Sequence, residues 1–95
     1  MNGLKWVQDW YIKQCNGDWE HSYGIRIESL DNPGCALQIS LDTNLENCPF
    51  SRIEIEREKD NWINCWVQDN EFLAVGGSNN LEEIVTVFKE WAEKQ

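Results

Sequence analysis

Apolar residues recur at helical spacing near both ends of the chain, and between the ends they alternate with polar residues. The helical spacing predicts a first helix over residues 3–15 and a closing helix over residues 81–94. The apolar side of the first helix is broad and consists of Leu4, Trp6, Val7, Trp10, Tyr11 and Cys15. Each terminal helix is therefore amphipathic and must bury one side against the rest of the fold.

Small polar residues and glycine mark the ends of these helices. Asn2 stands where a residue would cap the first helix, and Asn16 followed by Gly17 is typical of a left-handed stop. At the closing helix, Asn80 and Glu83 have the spacing of a capping box, in which two side chains satisfy each other's backbone N–H groups. We therefore expect both helices to have defined boundaries.

The alternating middle of the chain predicts an antiparallel sheet of four to five strands joined in hairpins. The turn sequence DNPG places Pro33 and Gly34 at the two central positions of a type II turn. Strands grouped between two helices predict an α+β fold, and 95 residues are expected to form one domain over residues 1–95. The candidate strands lie at residues 23–30, 35–41, 51–59, 62–68 and 72–75.

Alternation also assigns the strand residues to two faces. The face predicted to point into the core carries Tyr23, Ile25, Ile27, Leu37, Ile39, Leu41, Ile53, Ile55, Ile63, Cys65 and Val67. Carboxylates and large rings share the opposite face: Glu28, Glu54, Glu56, Glu58, Trp62 and Trp66. We interpret this second face as a partner-binding surface, because tryptophan is enriched in interface hot spots. The alternative is that the first helix lies across it and buries both rings.

The charge balance is strongly acidic, with 17 Asp and Glu residues against 8 Lys and Arg residues and a net charge of −9. A field of that sign repels phosphate backbones and anionic lipid, so nucleic acid and membrane surfaces are not expected as partners. It attracts a basic partner and speeds the encounter. The alternative interpretation is a solvated surface that only aids solubility.

The residues that could bind metal or catalyse a reaction are few and scattered. Cys15, Cys35, Cys48 and Cys65 contain no C-x-x-C pair, and a single histidine cannot supply a usual zinc site, so no metal or cofactor is expected. The cysteines are instead expected to be small buried hydrophobic residues with reduced thiols. The start of the chain lacks a secretory signal and no apolar run is long enough for a membrane span, which favours a cytoplasmic protein.

The segment CNGDWEHSYG, residues 15–24, is the densest cluster of chemically active side chains. A small enzyme that uses His21 with Cys15 or a carboxylate is one interpretation. Adjacent residues of a strand point to opposite faces, however, so Glu20 and His21 would not converge on one substrate, and we predict no catalytic residue. We favour a corner anchored in the core by Trp19 and Tyr23. In such a corner, Asp18 binds nearby backbone N–H groups and His21 donates to a carbonyl, and Asp18, Glu20 and His21 form a second candidate patch for recognition.

The segments WVQDWYIKQCNGDWEHSYGIRIESLDNPG and GGSNNLEEI resemble the immunity protein 53 family of bacterial polymorphic toxin systems. The resemblance covers nearly the whole chain and is most specific where GDWEH, YG and DNPG follow one another. The positions that match the family motif are Trp10, Asp18, Trp19, Glu20, His21, Tyr23 and Gly24.

This resemblance implies a small cytosolic antidote that binds a cognate toxin encoded beside it. The acidic charge agrees independently with a basic toxin, and a nuclease is one candidate because such enzymes bind nucleic acid. A self-associating structural protein remains the alternative from a different class, since exposed tryptophans can also pair two copies of a chain. The choice between monomer and homodimer stays open.

Overall fold

A computed structural model describes residues 3–95, so Asn2 and its predicted capping role lie outside the described residues. Two longer helices flank a five-stranded antiparallel sheet, which confirms the predicted α+β fold. The elements in chain order are α1 (Gly3–Gln14), α2 (Trp19–Ser22), β1 (Ile25–Leu30), β2 (Gly34–Ser40), β3 (Ile53–Glu58), β4 (Asn61–Gln68), β5 (Glu71–Gly76) and α3 (Leu81–Glu93).

The strands lie in the order β1-β2-β5-β4-β3, so β5 is central and β1 and β3 are the edges. Hairpins join β1 to β2, β3 to β4 and β4 to β5. The long connection over residues 41–52 carries the chain from β2 to the far edge, and the pairing of β2 with β5 then closes the sheet. None of the helices within residues 3–95 is long and apolar enough to cross a membrane.

Both long helices lie on the same side of the sheet. Helix α3 packs against β2, β5 and β4, and α1 packs against α3. Phe88 of α3 is fully buried, with its ring centroid 5.2 Å from that of Phe72 in β5 and 5.1 Å from that of Trp10 in α1. The first helix therefore does not cover the face that carries Trp62 and Trp66, and the alternative interpretation of that face is wrong.

Helix α1 buries a narrower stripe than its sequence suggested. Its buried residues are Gly3, Val7 and Trp10, whereas Leu4, predicted on the apolar side, is 47% exposed. The reason is that α1 contacts mainly one other helix instead of a sheet. At its start the backbone N–H of Gly3 donates to Glu82 Oε2 at 3.0 Å, which holds the two helices close together.

Three residues predicted to be in the core lie at the margins of the sheet and are exposed. Ile27 in β1 and Ile55 in β3 pair with the buried Leu37 and Ile63, so they do face the helix side, yet they are 44% and 37% exposed. Tyr23, just before β1, is 57% exposed. Helix α3 packs mainly on the three inner strands, so it does not cover the edge strands β1 and β3.

The predicted capping box at α3 does not form. The Asn80 side chain makes no cap hydrogen bond, because it turns towards β4 instead. Its Oδ1 accepts from the Trp62 N–H at 3.3 Å, and its Nδ2 donates to Asn61 Oδ1 at 3.1 Å and to Glu83 Oε1 at 2.9 Å. Asn80 thus connects the start of α3 to the start of β4, and these tertiary hydrogen bonds replace the local helix cap.

The sequence predicts turns at Gly17 and Gly34, and the two outcomes differ. Gly17 has the predicted left-handed conformation, with φ at 89°, but α1 already ends at Gln14 and the Gly17 N–H donates to Glu20 instead of a helix carbonyl. The type II turn at Pro33 and Gly34 is wrong, because Gly34 lacks a positive φ and already pairs with Leu30 as the first residue of β2. A Cβ at Gly34 would lie 2.6 Å from the carbonyl oxygen of Gly76, so close backbone approach explains this glycine.

We predict that Gly34→Ala lowers the free energy of unfolding by about 1–3 kcal/mol, because the added methyl group meets backbone that cannot move aside easily. Urea unfolding should show a lower midpoint with an unchanged slope. Gly24→Ala is the matched control, since a Cβ at Gly24 meets nothing within 4 Å. Equal midpoints for the two variants would contradict the close approach.

We predict a pH-dependent contribution from Glu83, whose carboxylate accepts from Arg57 Nη2 at 2.7 Å. The hydrogen bond from Arg57 lowers the pKa of Glu83 below its ordinary value. A lowered pKa stabilises the fold above the pKa of the unfolded chain, about 4.3 for glutamate, and the contribution is lost as the pH falls through the folded value. Wild type should therefore be more stable than Glu83→Gln at pH 7, and the difference should shrink below about pH 4.3.

Urea unfolding of both proteins between pH 7 and pH 3 measures this difference. Glu90→Gln on the same helix is the control, because Glu90 is exposed and has no ion pair within the described part of the chain. A difference between wild type and Glu83→Gln that is independent of pH would contradict the role of the Arg57 pair.

Candidate partner-binding face

The side of the sheet that faces away from the helices is left uncovered, and we call it the outer face. In register, Glu54 lies opposite Asn64 and Glu56 lies opposite Trp62. Five of the predicted residues, Glu28, Glu54, Glu56, Trp62 and Trp66, lie on this face, as the alternation indicated. Both tryptophans are half-buried by their neighbours within the sheet.

The middle of the outer face is apolar, which the sequence analysis did not recognise. Leu73 lies between Gln38 and Trp66, and Val75 lies between Ala36 and Asn64. Together they line a shallow depression of about 280 Å³. The signal was present in the alternation of β5, where Phe72 and Ala74 are buried on the helix side and the residues next to them must point outward.

Trp66 contacts a cation from its own chain. The Arg52 guanidinium carbon lies 4.9 Å from the centroid of the Trp66 ring, and Arg52 Nε lies 2.7 Å from Glu54 Oε1. The Trp66 Nε1–H donates to Gln68 Oε1 at 3.3 Å. Ring, guanidinium and carboxylate therefore form one exposed group whose charge is balanced internally.

The end of the outer face around Trp62 is different. It forms a polar concavity of about 580 Å³, which is lined by Asn32, Glu56, Arg57, Glu58, Lys59, Trp62 and Asn64. A β-bulge between Glu56 and Glu58 interrupts the alternation, so that Glu58 pairs with Asn61 instead of continuing the series of Glu54 and Glu56. Glu58 nevertheless borders the same concavity as Glu56.

The remaining predicted carboxylate of this face, Glu28, has a basic neighbour. Arg26 Nε lies 3.5 Å from Glu28 Oε1, and both side chains are more than half exposed. An exposed pair of this kind contributes little to stability, because water and salt screen it. Its effect is to reduce the negative charge at the β1 side of the outer face.

The second candidate patch is held together by local hydrogen bonds. Residues 19–22 form the one-turn helix α2 instead of a strand. The Glu20 carboxylate accepts from the N–H groups of Asn16 at 2.9 Å and Gly17 at 2.7 Å. Hydrogen bonds from its own N–H and from these two residues lower the pKa of Glu20. Glu20 thus closes the turn after α1.

Asp18 does not have the role predicted for it. Its side chain makes no cap hydrogen bond at α2. Asn16 Oδ1 takes that role and accepts from the N–H groups of Asp18 at 3.0 Å and Trp19 at 2.9 Å. Trp19 does anchor the corner, with its ring centroid 6.1 Å from that of Trp10. Tyr23, predicted as a core anchor, lies against Trp19 at the surface.

No hydrogen bond between a thiol and His21 is formed in the part of the chain that the structure describes. Cys15 Sγ donates to the carbonyl oxygen of Tyr11 at 3.3 Å, and His21 is exposed on α2. Nucleophilic catalysis needs a base within hydrogen-bond reach of the nucleophile. The corner therefore offers surface residues for recognition but no assembled catalytic pair.

The cysteines divide into two pairs. Cys35 and Cys65 are buried as predicted, and burial raises the pKa of the Cys35 thiol and raises that of Cys65 to about 12. Cys15 and Cys48 are only half-buried, so the expectation of four buried thiols is wrong for them. Within residues 3–95 no group of three or more His, Cys, Asp or Glu side chains could hold a metal ion.

The fold is an α+β domain with both long helices on one side of a five-stranded antiparallel sheet. The family model for immunity protein 53 matches residues 4–93, and the chain therefore belongs to the immunity protein 53 family. Comparison with curated proteins and with solved structures gives no significant match.

We predict that Trp10→Ala and Trp62→Ala differ in their effect on stability, because Trp10 is buried in the core against Phe88, whereas Trp62 is half-buried on the outer face. Trp10→Ala should lower the free energy of unfolding by about 3–5 kcal/mol. Trp62→Ala should lower it by about 1 kcal/mol, since its ring packs only along an uncovered face. Urea unfolding of both variants measures the difference, and equal losses would contradict the one-sided arrangement of the helices.

Proposed function

We propose that this protein neutralises a cognate toxin domain by binding it directly through the outer face. The observation that supports the proposal is an uncovered sheet face that carries Trp62 and Trp66 beside the apolar strip of Leu73 and Val75. Large rings beside an apolar centre with a polar margin match the usual composition of a protein interface. Membership of the immunity protein 53 family supports a toxin as the partner.

The charge of the protein supports a basic toxin. With a net charge of −9, the chain attracts a positively charged surface and speeds the encounter with it. A nuclease domain has such a surface, because it must hold a polyanion. We therefore propose a basic nuclease domain as the target, inhibited in the cytoplasm of the producing cell without any catalytic step by the immunity protein.

The adjoining gene provides the test of the proposal. The C-terminal domain of its product would be expressed in a susceptible host with and without this protein. Growth arrest that this protein relieves, together with co-purification of the two proteins, is the expected result. A harmless neighbour, or a toxic one that is neither bound nor relieved, would overturn the proposal. Sedimentation of the pure protein across concentration would then test self-association through the outer face.

We predict that Trp62→Ala and Trp66→Ala each raise the dissociation rate of the toxin complex by about tenfold or more. Removing a ring from the centre of an interface exposes a pocket on the partner, and most such effects appear in dissociation. Surface plasmon resonance with the purified toxin domain measures the rates. The control is Ile12→Ala, because Ile12 is a large hydrophobic residue that is 58% exposed on α1, away from the outer face.

If both tryptophan variants dissociate at the wild-type rate, the outer face is not part of the interface. That result would contradict the proposed binding face but not the proposed antidote function. An equal loss in Ile12→Ala would point to a nonspecific effect of surface hydrophobicity.

A further inference from the structure

The two tryptophans of β4 lie on the same face but have opposite electrostatic surroundings. Arg52 supplies a guanidinium to the Trp66 ring and at the same time pairs with Glu54. Trp62 instead lies opposite a carboxylate, that of Glu56, in the strand register. The same pair, an indole ring and a glutamate of β3, thus occurs twice, and among the described residues a guanidinium lies on the ring of the first pair but not on that of the second.

The basic residues near Trp62 do not supply the missing cation. Arg57 is turned to the helix side, where its guanidinium donates to Glu83 at 2.7 and 3.0 Å and to Asn61 Oδ1 at 2.9 Å. Lys59 also lines the concavity, but among the described residues no ion pair joins it to Glu56 or Glu58. Two carboxylates that form no ion pair within residues 3–95 therefore line a concavity of about 580 Å³ beside an indole ring.

We propose that this concavity binds an arginine side chain of the toxin domain, which places its guanidinium on the Trp62 ring next to Glu56 and Glu58. The inference rests on the proposed function and names the chemistry of the contact. An arginine suits the site better than a lysine, because its planar guanidinium stacks on an aromatic face and binds carboxylates through two N–H groups. The Arg52 group at Trp66 shows the same arrangement within the chain.

This assignment divides the outer face into two functional halves. The Trp66 half, with its charge already balanced, contributes apolar contact through the ring and the strip of Leu73 and Val75. The Trp62 half contributes the electrostatic contact through Glu56 and Glu58, which both line the concavity. A binding partner is then oriented on the sheet, because the indole ring and the two carboxylates that would hold its arginine lie together at one end of the face.

The test compares Glu56→Gln with Glu54→Gln, two substitutions that remove the same charge from the same face of β3. The dissociation constant of the complex with the toxin domain would be measured by titration calorimetry at several salt concentrations. Glu56→Gln should weaken binding by about tenfold at low salt and reduce the salt dependence. Glu54→Gln should weaken it by less than about twofold, because Glu54 is already paired with Arg52.

Equal effects of the two substitutions would overturn the arginine assignment while leaving the antidote function standing. Failure of the wild-type protein to bind the toxin domain would instead overturn the proposed function. The two failures are therefore distinguishable in the same set of measurements.

A second measurement tests the site without any toxin. Arginine amide would be titrated into the free protein at constant ionic strength while the indole N–H signals of Trp62 and Trp66 are followed by NMR, with norleucine amide as the apolar control. The Trp62 signal should move with arginine amide only, and the shift should disappear in Glu56→Gln. Equal shifts of the two tryptophan signals would overturn the assignment. So would the absence of a Trp62 shift at arginine amide concentrations up to its solubility limit.

Discussion

The packing of α3 on the three inner strands is the contact on which the rest of the structure depends. Phe88 lies at its centre and touches rings from two other elements, Phe72 of β5 and Trp10 of α1, as well as Trp91 of α3 itself. Because α1 packs against α3 and α3 packs against the sheet, both helices lie on the same side of the sheet. A five-stranded sheet covered on one side only must leave its other side to water or to a partner. The candidate binding face is thus a direct result of where the aromatic core lies.

Periodicity predicted the elements well and their surroundings less well. Alternation placed Glu54, Glu56, Trp62 and Trp66 on one face because the side-chain period of a strand is fixed by its geometry. It could not show that Ile55 is exposed, since this depends on the strand order and on how far α3 extends. The capping box failed for a related reason. Local spacing cannot anticipate that Asn80 binds β4, a contact between residues far apart in sequence.

The charges of the outer face could also be predicted only in part from the sequence. Composition indicated an acidic surface, and the strand pattern located its carboxylates, but neither predicted which of them would be paired. Arg52 lies just before β3 and was not assigned to any site, although its guanidinium decides the chemistry around Trp66. Likewise, Arg57 reaches Glu83 on α3, a contact between residues far apart in sequence that the strand pattern did not predict. Side-chain partners of this kind follow from the tertiary structure and carry no periodic signal.

The long connection between β2 and β3 separates, in the sequence, the strands that together form the outer face. The depression at its middle combines Ala36 and Gln38 of the first hairpin with Leu73, Val75 and Trp66 of the last one, and the two halves meet only through the pairing of β2 with β5. Such pairing between distant segments carries a high loop-closure cost and is slow compared with hairpin formation. A chain emerging from the ribosome can form its first hairpin early, but it has no complete outer face until β5 has been synthesised and docked. The outer face therefore exists only in the finished fold.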